Sequence, residues 1–550
     1  MKVLKKILIV IASIILLLIL LSFGVSYYVS KKLPTILKEQ KDFPYNVSYE
    51  KLDINLISGS FDIKNVSLAP KDSLQKIAKQ GAFATIESIE VNNFSIWALL
   101  RNNHIKVNEV IITKPEVILY HRKEKYNAEN DFVKPFKNVI STRALTIKEG
   151  SFKMADSLLN PTLKAANINF TVTNIQIDST SLKKDIPVRY RDYNLSCDSL
   201  FYDSGKFYTI TAGKIATTDE SFTMDNFRMK PKQTRVQFTR MQKKELDQFN
   251  LKAGKINLSK LDWGYIGDTL YVHSPEMILD KVYANIYRSK EPADDYSRKK
   301  LYSEMLRTLK IDLDIKKLLI QNTTIEYEEQ LSFAKPAAKV TFTKFDAKIS
   351  NVYSPVGKKK NIKLPPTVLD VKCIFMKSSP LRVIWSFNVP EESDAFTIMG
   401  HLQNIDSEKV DPVTRPLMNA RTDGNIKEVK FTMNGNIKHG KGTFAINYDD
   451  LKVDILKKDG KKENKIISAV ANLVVKNDTD GKLKQTNVEV DRIQHKSVFN
   501  FLWRFVEQGL KQSVLPKTVV NIADNKKEKK DKEEKAKTTK AKSAKKKKNN

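Results

Sequence analysis

Cysteine is scarce in this chain of 550 residues, which contains only Cys197 and Cys373. Two cysteines cannot build the disulfide framework on which small secreted domains depend. Both lie in segments with a strand-like sequence, 176 residues apart, so we expect two buried thiols. A single disulfide between them is the alternative.

Catalytic and metal-binding motifs are also missing. The sequence has no H-E-x-x-H zinc motif and no G-x-S-x-G nucleophile elbow. Residues 440–443 share glycines and a lysine with a P-loop but lack its full spacing, and we interpret them as a hairpin turn. No two histidines have the spacing of a metal site. The histidines are His104, His121, His273, His401, His439 and His495. We therefore predict no catalytic residue, no metal and no cofactor.

One dense acidic cluster requires a separate interpretation. Glu326, Glu328 and Glu329 surround Tyr327 in a strand-like segment. A pair of carboxylates could perform acid–base chemistry of the kind that glycosidases use. We favour the simpler interpretation, a strand edge with solvated charges.

The sequence contains a single long hydrophobic run, which lies at the amino terminus. Residues 7–23 are almost purely apolar, and this character continues to residue 29. A helix over residues 7–29 would be about 34 Å long, enough to cross a hydrocarbon core of ~30 Å. The sequence therefore predicts a single-pass membrane protein. The representative anchor residues are Ile7, Leu17, Phe23, Tyr27 and Tyr28.

Charges around this segment predict its orientation. Lys2, Lys5 and Lys6 precede the apolar run and favour the cytoplasmic side, so the chain from residue 31 onward is expected to be exported. The alternative is a cleavable signal peptide, because Ser22 and Gly24 form a weak version of the A-x-A cleavage site. Both interpretations export the body.

The formal net charge is +32. Residues 525–550 contain thirteen lysines and four acids, so the tail carries +9 and the rest of the chain +23. The tail has no apolar residue larger than alanine and is predicted to be disordered. An exported basic protein is expected to meet anionic lipid head groups or another polyanion. The alternative is that lysines keep a β-rich protein soluble.

In isolation, the four lysines at 545–548 resemble a nucleic-acid patch. The export segment argues against that interpretation, and we predict no nucleic-acid partner.

The body alternates apolar with polar residues, which is typical of strands with one buried face. Residues 52–56, 61–68, 105–112, 222–229 and 339–345 show this pattern, with one slip at Asn65. Turns are predicted at five glycines. These are Gly59, Gly150, Gly205, Gly435 and Gly440.

An internal repeat is visible in the first half of the body. Residues 89–97 resemble residues 256–263, and each stretch leads into a Pro-Glu element, at 115–119 and 275–279. The Pro-Glu elements are 160 residues apart, which is longer than ordinary solenoid periods. The repeat suggests two or more large β units stacked end to end.

Few helices are predicted. Candidates cover residues 292–309, 135–141 and 496–514. The last is the clearest and carries Phe499, Phe501, Trp503 and Phe505. It could pack on the end of a sheet, or it could be an amphipathic helix that contacts lipid or a partner, aided by Arg504 and Lys511.

Taken in order, these segments resemble the AsmA-like proteins of Gram-negative envelopes. The resemblance covers roughly residues 1–515 and rests on degenerate hydrophobic patterns in a fixed order. The stretches that carry it are the anchor, residues 52–61, 105–117, 435–444 and 448–453, Arg492, residues 496–503, Gly509 and Leu510.

The resemblance implies a mainly β fold: an elongated, half-open β-groove of repeated antiparallel units with one transmembrane helix and few short helices. It also implies an inner-membrane protein with its bulk in the periplasm, acting in phospholipid traffic and outer-membrane integrity, possible contacts with other envelope proteins, and no catalytic residues. A non-enzymatic scaffold or assembly factor is the alternative function.

We predict four regions: an anchor at 1–30, a β-groove region with the internal repeat at 31–330, a C-terminal β region at 331–515 that ends in the amphipathic helix, and a disordered, lysine-rich region at 516–550 that contains the tail. Apolar residues on the strand faces are expected to line one channel for acyl chains. The candidates are Val107, Ile111, Val117, Ile256 and Leu258.

Overall fold

The computed structural model describes residues 45–514 except 56–57, 71–80, 96–97, 99–103, 121–138, 157, 179–180, 182–187, 359–362, 419 and 456–477. The predicted anchor, including Ile7, Leu17, Phe23, Tyr27 and Tyr28, and the predicted tail lie outside the described residues. Within the described part of the chain, no helix has both the length and the apolar character needed to span a membrane.

The prediction of a mainly β fold with few short helices is confirmed. The chain divides into two compact units with interleaved boundaries. The first comprises Met1–Gln233, Asn250–Val282 and Lys310–Ile315, and the second comprises Thr234–Phe249, Tyr283–Leu309 and Lys316–Asn550.

The described part of the first unit consists of strands. They are β1 (Tyr45–Ser48), β2 (Lys51–Asn55), β3 (Ser60–Pro70), β4 (Gly81–Asn92), β5 (His104–Thr113), β6 (Glu116–Tyr120), β7 (Val139–Ala155), β8 (Pro161–Ile177), β9 (Tyr193–Cys197), β10 (Ser199–Asp203), β11 (Tyr208–Ala212), β12 (Ile215–Thr218), β13 (Ser221–Pro231), most of β14 (Asp247–Ser259), β15 (Asp262–Ile266) and β16 (Thr269–Asp280).

The second unit combines strands with short helices. Its strands are β17 (Tyr283–Ser289), most of β18 (Asp312–Gln330), β19 (Ala338–Tyr353), β20 (Thr367–Phe375), β21 (Ser379–Phe387), β22 (Phe396–Asp406), β23 (Ala420–Gly435), β24 (His439–Ile455) and β25 (Lys484–Asp491). Its helices are α1 (Arg235–Arg240), α2 (Tyr302–Arg307), a 3-10 turn (Ser407–Val410), α3 (Asp411–Met418) and α4 (Val498–Val514).

Most neighbouring strands pair antiparallel, as the short connections predict. Strands β5 and β6 instead run parallel to β7, and β17 runs parallel to β18. The sheet is therefore mixed.

Left-handed residues inside the long strands reset the alternation of buried side chains. Asn65 has φ +50 and separates Ile63 from Val66, both buried on the same face although they are three residues apart. Asparagine tolerates this conformation better than other non-glycine residues. The slip seen at Asn65 in the sequence is thus a real feature, and Asn174, Asn226 and Asn322 repeat it within their strands.

Each unit has its own core. In the first unit, buried aliphatic residues of β3 to β8 form one cluster that includes Ile63, Ile89 and Ile112. In the second unit, the core forms where α4 meets the sheet, with Phe444, Phe501 and Phe505 almost fully buried.

Two predicted helices are wrong over much of their length. Only 302–307 of the predicted 292–309 is helical, because the preceding backbone is held by other partners: Asp295 accepts hydrogen bonds from Ser297, and Lys299 N–H donates to the carbonyl of Gln494. Of the predicted 135–141, the first four residues lie outside the described residues. Residues 139–141 begin β7, where they pair in parallel with β5.

The turns predicted at Gly150 and at residues 440–443 are wrong, because these residues lie within strands. Gly150 lies inside β7, where the register to β8 shifts. Residues 440–443 lie inside β24, where a Cβ on Gly442 would come within 1.8 Å of the Thr432 carbonyl oxygen, so no side chain fits. Gly435 and Gly440 pair with each other across β23 and β24, so the hairpin turn lies between them.

The internal repeat corresponds to interrupted strands. Strands β5 and β6 are separated by Lys114 at φ +45, and β16 and β17 are separated around Lys281 at φ +52. In both cases the second part pairs in parallel with the strand that follows. The two Pro-Glu elements are not equivalent, because Glu116 begins β6 whereas Glu276 lies within β16.

Candidate functional site

An unbroken row of paired residues crosses ten strands of the first unit on one face. The register pairs each residue with the next one in the row. In strand order the row is Ile63, Ile89, Ile112, Ile147, Phe170, Leu195, Thr217, Phe222, Leu258 and Met277. Every member is apolar except Thr217. We call these residues the apolar row.

Exposure changes along the apolar row. Ile63, Ile89 and Ile112 have no accessible surface. From Phe170 to Met277 every member is only half-buried. One end of the row is therefore core, and the other end retains apolar surface in contact with solvent.

A second apolar row runs beside the half-buried part. Cys197, Ile215, Met224, Ile256 and Leu279 pair in succession across five strands, and all are half-buried. The two rows together form the apolar face of the first unit. Burial raises the pKa of the Cys197 thiol, which keeps it in its neutral, apolar form.

The half-buried part of the apolar row is long enough to accommodate an acyl chain. Neighbouring strands lie about 4.8 Å apart, so the six strands from Phe170 to Met277 give a row of about 24 Å. One acyl layer fills about 15 Å, half of a bilayer core of ~30 Å. The apolar face is thus longer than a single acyl chain needs.

The opposite face of the same strands is polar. Asp62, Glu90, Thr146 and Thr171 lie in one row on that face, and Ile111 lies among them, paired with Glu90 and Thr146. Of the five predicted groove residues, Ile111 is therefore the one on the polar side. Val107 and Val117 belong to the buried cluster, and Ile256 and Leu258 belong to the half-buried apolar face.

Aromatic side chains with polar tips lie near one end of the apolar face. Tyr193 and Trp263 meet edge to face at 6.4 Å between ring centroids, and the Trp263 Nε1–H donates to Tyr193 Oη at 2.7 Å. Tyr190 stacks edge to face on Tyr193 at 6.0 Å and is partly exposed. Such rings pair an apolar body with a hydrogen-bonding tip, which suits a boundary between apolar surface and water.

The sheet of the second unit has the same two-faced construction. A row across seven strands contains Ile349, Leu369, Trp385, Ile398, Met433, Gly442 and Val488. The other face carries ion pairs such as Arg382 with Asp370 and His401 with Glu428. Here one end of the apolar face is covered by α4.

Helix α4 divides its aromatic residues between two environments. Phe501 and Phe505 face the sheet and are 1% and 0% exposed, respectively. Phe499 and Trp503, one turn apart, are 60% and 43% exposed. The sequence predicted all four as one group and did not distinguish the two sides of the helix.

Close contact between α4 and the sheet depends on glycines. A Cβ on Gly509 would come within 2.3 Å of Phe444 Cγ, and a Cβ on Gly440 within 2.9 Å of Phe501 Cζ. These small residues let the aromatic rings of sheet and helix approach closely.

The acidic cluster at 326–329 is an ion-pair network. Glu328 is 8% exposed and accepts two hydrogen bonds from Arg235, at 2.9 and 2.7 Å. Burial alone would raise the pKa of Glu328, but the hydrogen bonds from Arg235 and Asn285 outweigh it and lower the pKa. An ionised carboxylate with fixed cationic partners has a structural role and is poorly suited to transfer a proton near neutral pH.

The other two acids of the cluster also have partners. Glu326 pairs with Lys339 at 2.7 Å and accepts a hydrogen bond from the Tyr283 hydroxyl at 2.8 Å. Glu329 accepts a hydrogen bond from the Tyr327 hydroxyl at 3.0 Å. Burial and the neighbouring Glu326 raise the pKa of Tyr283 to about 12, so it remains a donor.

Metal-ligating side chains do not converge in the described part of the chain: no three or more His, Cys, Asp or Glu residues there form a group that could hold an ion. Both cysteines are free, and burial raises the pKa of Cys373 to about 12. Of the six histidines in the chain, His121 lies outside the described residues. His273 lies 3.1 Å from the buried Asp312, and His439 lies beside Glu489 and Asp491.

Comparison with known proteins gives no assignment. No protein-family model matches the chain, and no curated protein sequence matches it significantly.

Proposed function

We propose that this protein is an AsmA-like, inner-membrane-anchored envelope protein whose apolar face shields or conducts phospholipid acyl chains. Its body would lie in the periplasm and act without catalysis in outer-membrane biogenesis and envelope integrity. The observation that carries the proposal is the apolar row, which crosses ten strands with Thr217 as its one polar member and is half-buried over six of them.

The energetics favour acyl chains as the occupant. A methylene group gains roughly 0.8 kcal/mol when it leaves water for an apolar surface. The face from Phe170 to Met277 offers such surface continuously, so a chain lying along it would meet no charged side chain in the row. The polar side chains of the opposite face keep the sheet itself in water.

A non-enzymatic scaffold of the cell envelope is the second candidate. The packing of α4 favours it, because Phe501 and Phe505 fill one end of the apolar face of the second unit with protein side chains. A face that is filled in this way stabilises structure and leaves no room for a ligand.

A matched pair of variants separates the two functions. Leu258→Asp puts a charge on the half-buried apolar face, whereas Asn257→Asp puts the same charge next to it on the polar face. For the lipid function we expect the gently purified wild type and Asn257→Asp to carry phospholipid by mass spectrometry. We expect Leu258→Asp to lose most of it.

Folding is the control for this experiment. Because Leu258 is half-buried, water can reach the new carboxylate, and both variants should melt within a few degrees of the wild type, corresponding to about 1 kcal/mol. Equal lipid content in all three proteins, or none in the wild type, would support the scaffold.

A further inference from the structure

An exposed, mainly aromatic patch lies on the helices of the second unit. It consists of Tyr302 and Met305 on α2 and Phe499 and Trp503 on α4. The four side chains are 37%, 51%, 60% and 43% exposed, respectively. We call these four residues the helical patch.

The helical patch is one surface formed by two helices. The rings of Tyr302 and Phe499 meet at 6.5 Å between centroids, with an angle of 68°. Met305 follows Tyr302 by three residues and Trp503 follows Phe499 by four, which places each pair on one side of its helix. Tyr302 also rests on the buried Trp385, at 5.3 Å, so the sheet supports the patch from below.

Cations border the helical patch. Helix α4 and the residues just before it, 492–514, contain four basic residues and one acid. Lys511 pairs with Glu507, Lys496 with Asp294, and Arg504 donates to the carbonyl of Asp491. Beside α2, Arg298 pairs with Glu304, and Lys300 donates to Thr308 Oγ1. Most of these charges are already compensated, so the border alone would attract an anionic partner only weakly.

A stronger positive charge than that of the border lies in the tail, C-terminal to α4. The tail at 525–550 begins eleven residues after the end of the helix and carries a net charge of +9. Exposed Trp and Phe next to a polybasic segment combine the two signals that hold proteins on anionic membranes.

We propose that the helical patch and the lysine-rich tail together dock on the surface of a bilayer that contains anionic lipid. The aromatic side chains enter the interfacial layer, while the lysines interact with the head groups. A second copy of this chain is a poorer occupant, because its own tail and its net charge of +32 would repel the first. The docking does not depend on whether the apolar face carries acyl chains.

Trp503 is a probe at the centre of the proposed contact. The full chain is reconstituted into vesicles of phosphatidylcholine, alone or with phosphatidylglycerol, whose acyl chains carry bromine to quench tryptophan. The Trp503 signal is the difference between the wild type and Trp503→Phe, which removes the contribution of the other three tryptophans.

We expect the Trp503 signal to be quenched severalfold more in phosphatidylglycerol vesicles than in phosphatidylcholine vesicles. Raising the salt concentration or ending the chain at residue 524 should abolish this difference, because both remove the lysine attraction. Phe499→Ser should reduce the quenching. Ile266→Ser, which replaces an apolar side chain that is 71% exposed in the first unit, should not.

Three outcomes would overturn the proposal. The first is an unquenched Trp503 in phosphatidylglycerol vesicles. The second is equal quenching in both kinds of vesicle. The third is a difference between the two kinds of vesicle that survives loss of the tail.

Discussion

At the scale of single residues, neighbouring side chains have opposite environments. Ile111 and Ile112 have the same chemistry, but Ile112 is completely buried beside Ile89 and Ile147, while Ile111 lies between Glu90 and Thr146 on the polar face. Alternate residues of a strand lie on opposite faces, so the face on which each isoleucine lies decides its environment.

Lysine substitution at these two positions tests that assignment. Ile112→Lys buries an ammonium group without a partner and should cost several kcal/mol, or prevent folding. Ile111→Lys places the charge opposite Glu90 and should change the free energy of unfolding by less than about 0.5 kcal/mol. Denaturant unfolding of both variants measures the difference, and a large loss for Ile111→Lys would refute the assignment of faces.

The same residues show what the sequence could and could not predict. Alternation correctly placed residues 61–68, 105–112, 222–229 and 339–345 in strands with one buried face, because period two is a direct consequence of strand geometry. It placed Ile111 on the apolar side because Ile111 is four residues from Val107, whereas the phase of burial shifts within β5: Val107 and Val110 are three residues apart and both buried. That shift was not visible in the sequence, unlike the slip at Asn65.

At the scale of elements, close complementary packing holds α4 against the sheet. Gly509 lies opposite Phe444, and the buried side chains of Phe501 and Phe505 pack against strands β22 to β25. The sequence predicted this helix well, because its apolar residues are dense and its period is helical. The predicted helix over residues 292–301 is wrong because this segment makes ion pairs and hydrogen bonds with residues near 494–496. Those partners are far away in the sequence and could not be predicted from it.

Gly509→Ala separates packing from helix propensity. In an exposed helix this change would stabilise by up to about 1 kcal/mol. Here the new methyl group would overlap the Phe444 ring, so we expect a net loss of about 1–3 kcal/mol. Thermal unfolding measures the sign, and a higher melting temperature would contradict the proposed packing.

At the scale of the whole molecule, the proposed lipid function depends on an asymmetry between the faces of the sheet. In each unit the sheet has one apolar and one polar face, and charged pairs such as Arg382 with Asp370 lie on the polar one. The alternation in the sequence indicated this asymmetry, but the length of each apolar row can be determined only from the register of every strand pair. Neither the composition nor the net charge of +32 could supply that register.

Photocrosslinking in living cells tests most directly whether the apolar face of the first unit binds acyl chains. A photoreactive amino acid is placed at Phe222 or Leu258 on the apolar face, and at Thr223 or Asn257 on the polar face of the same two strands. After irradiation, mass spectrometry of the purified protein detects covalent lipid adducts. We predict phospholipid adducts at Phe222 and Leu258 and none at Thr223 and Asn257. Adducts at all four positions, or at none of them while the protein is folded, would contradict an acyl-chain role for the apolar face.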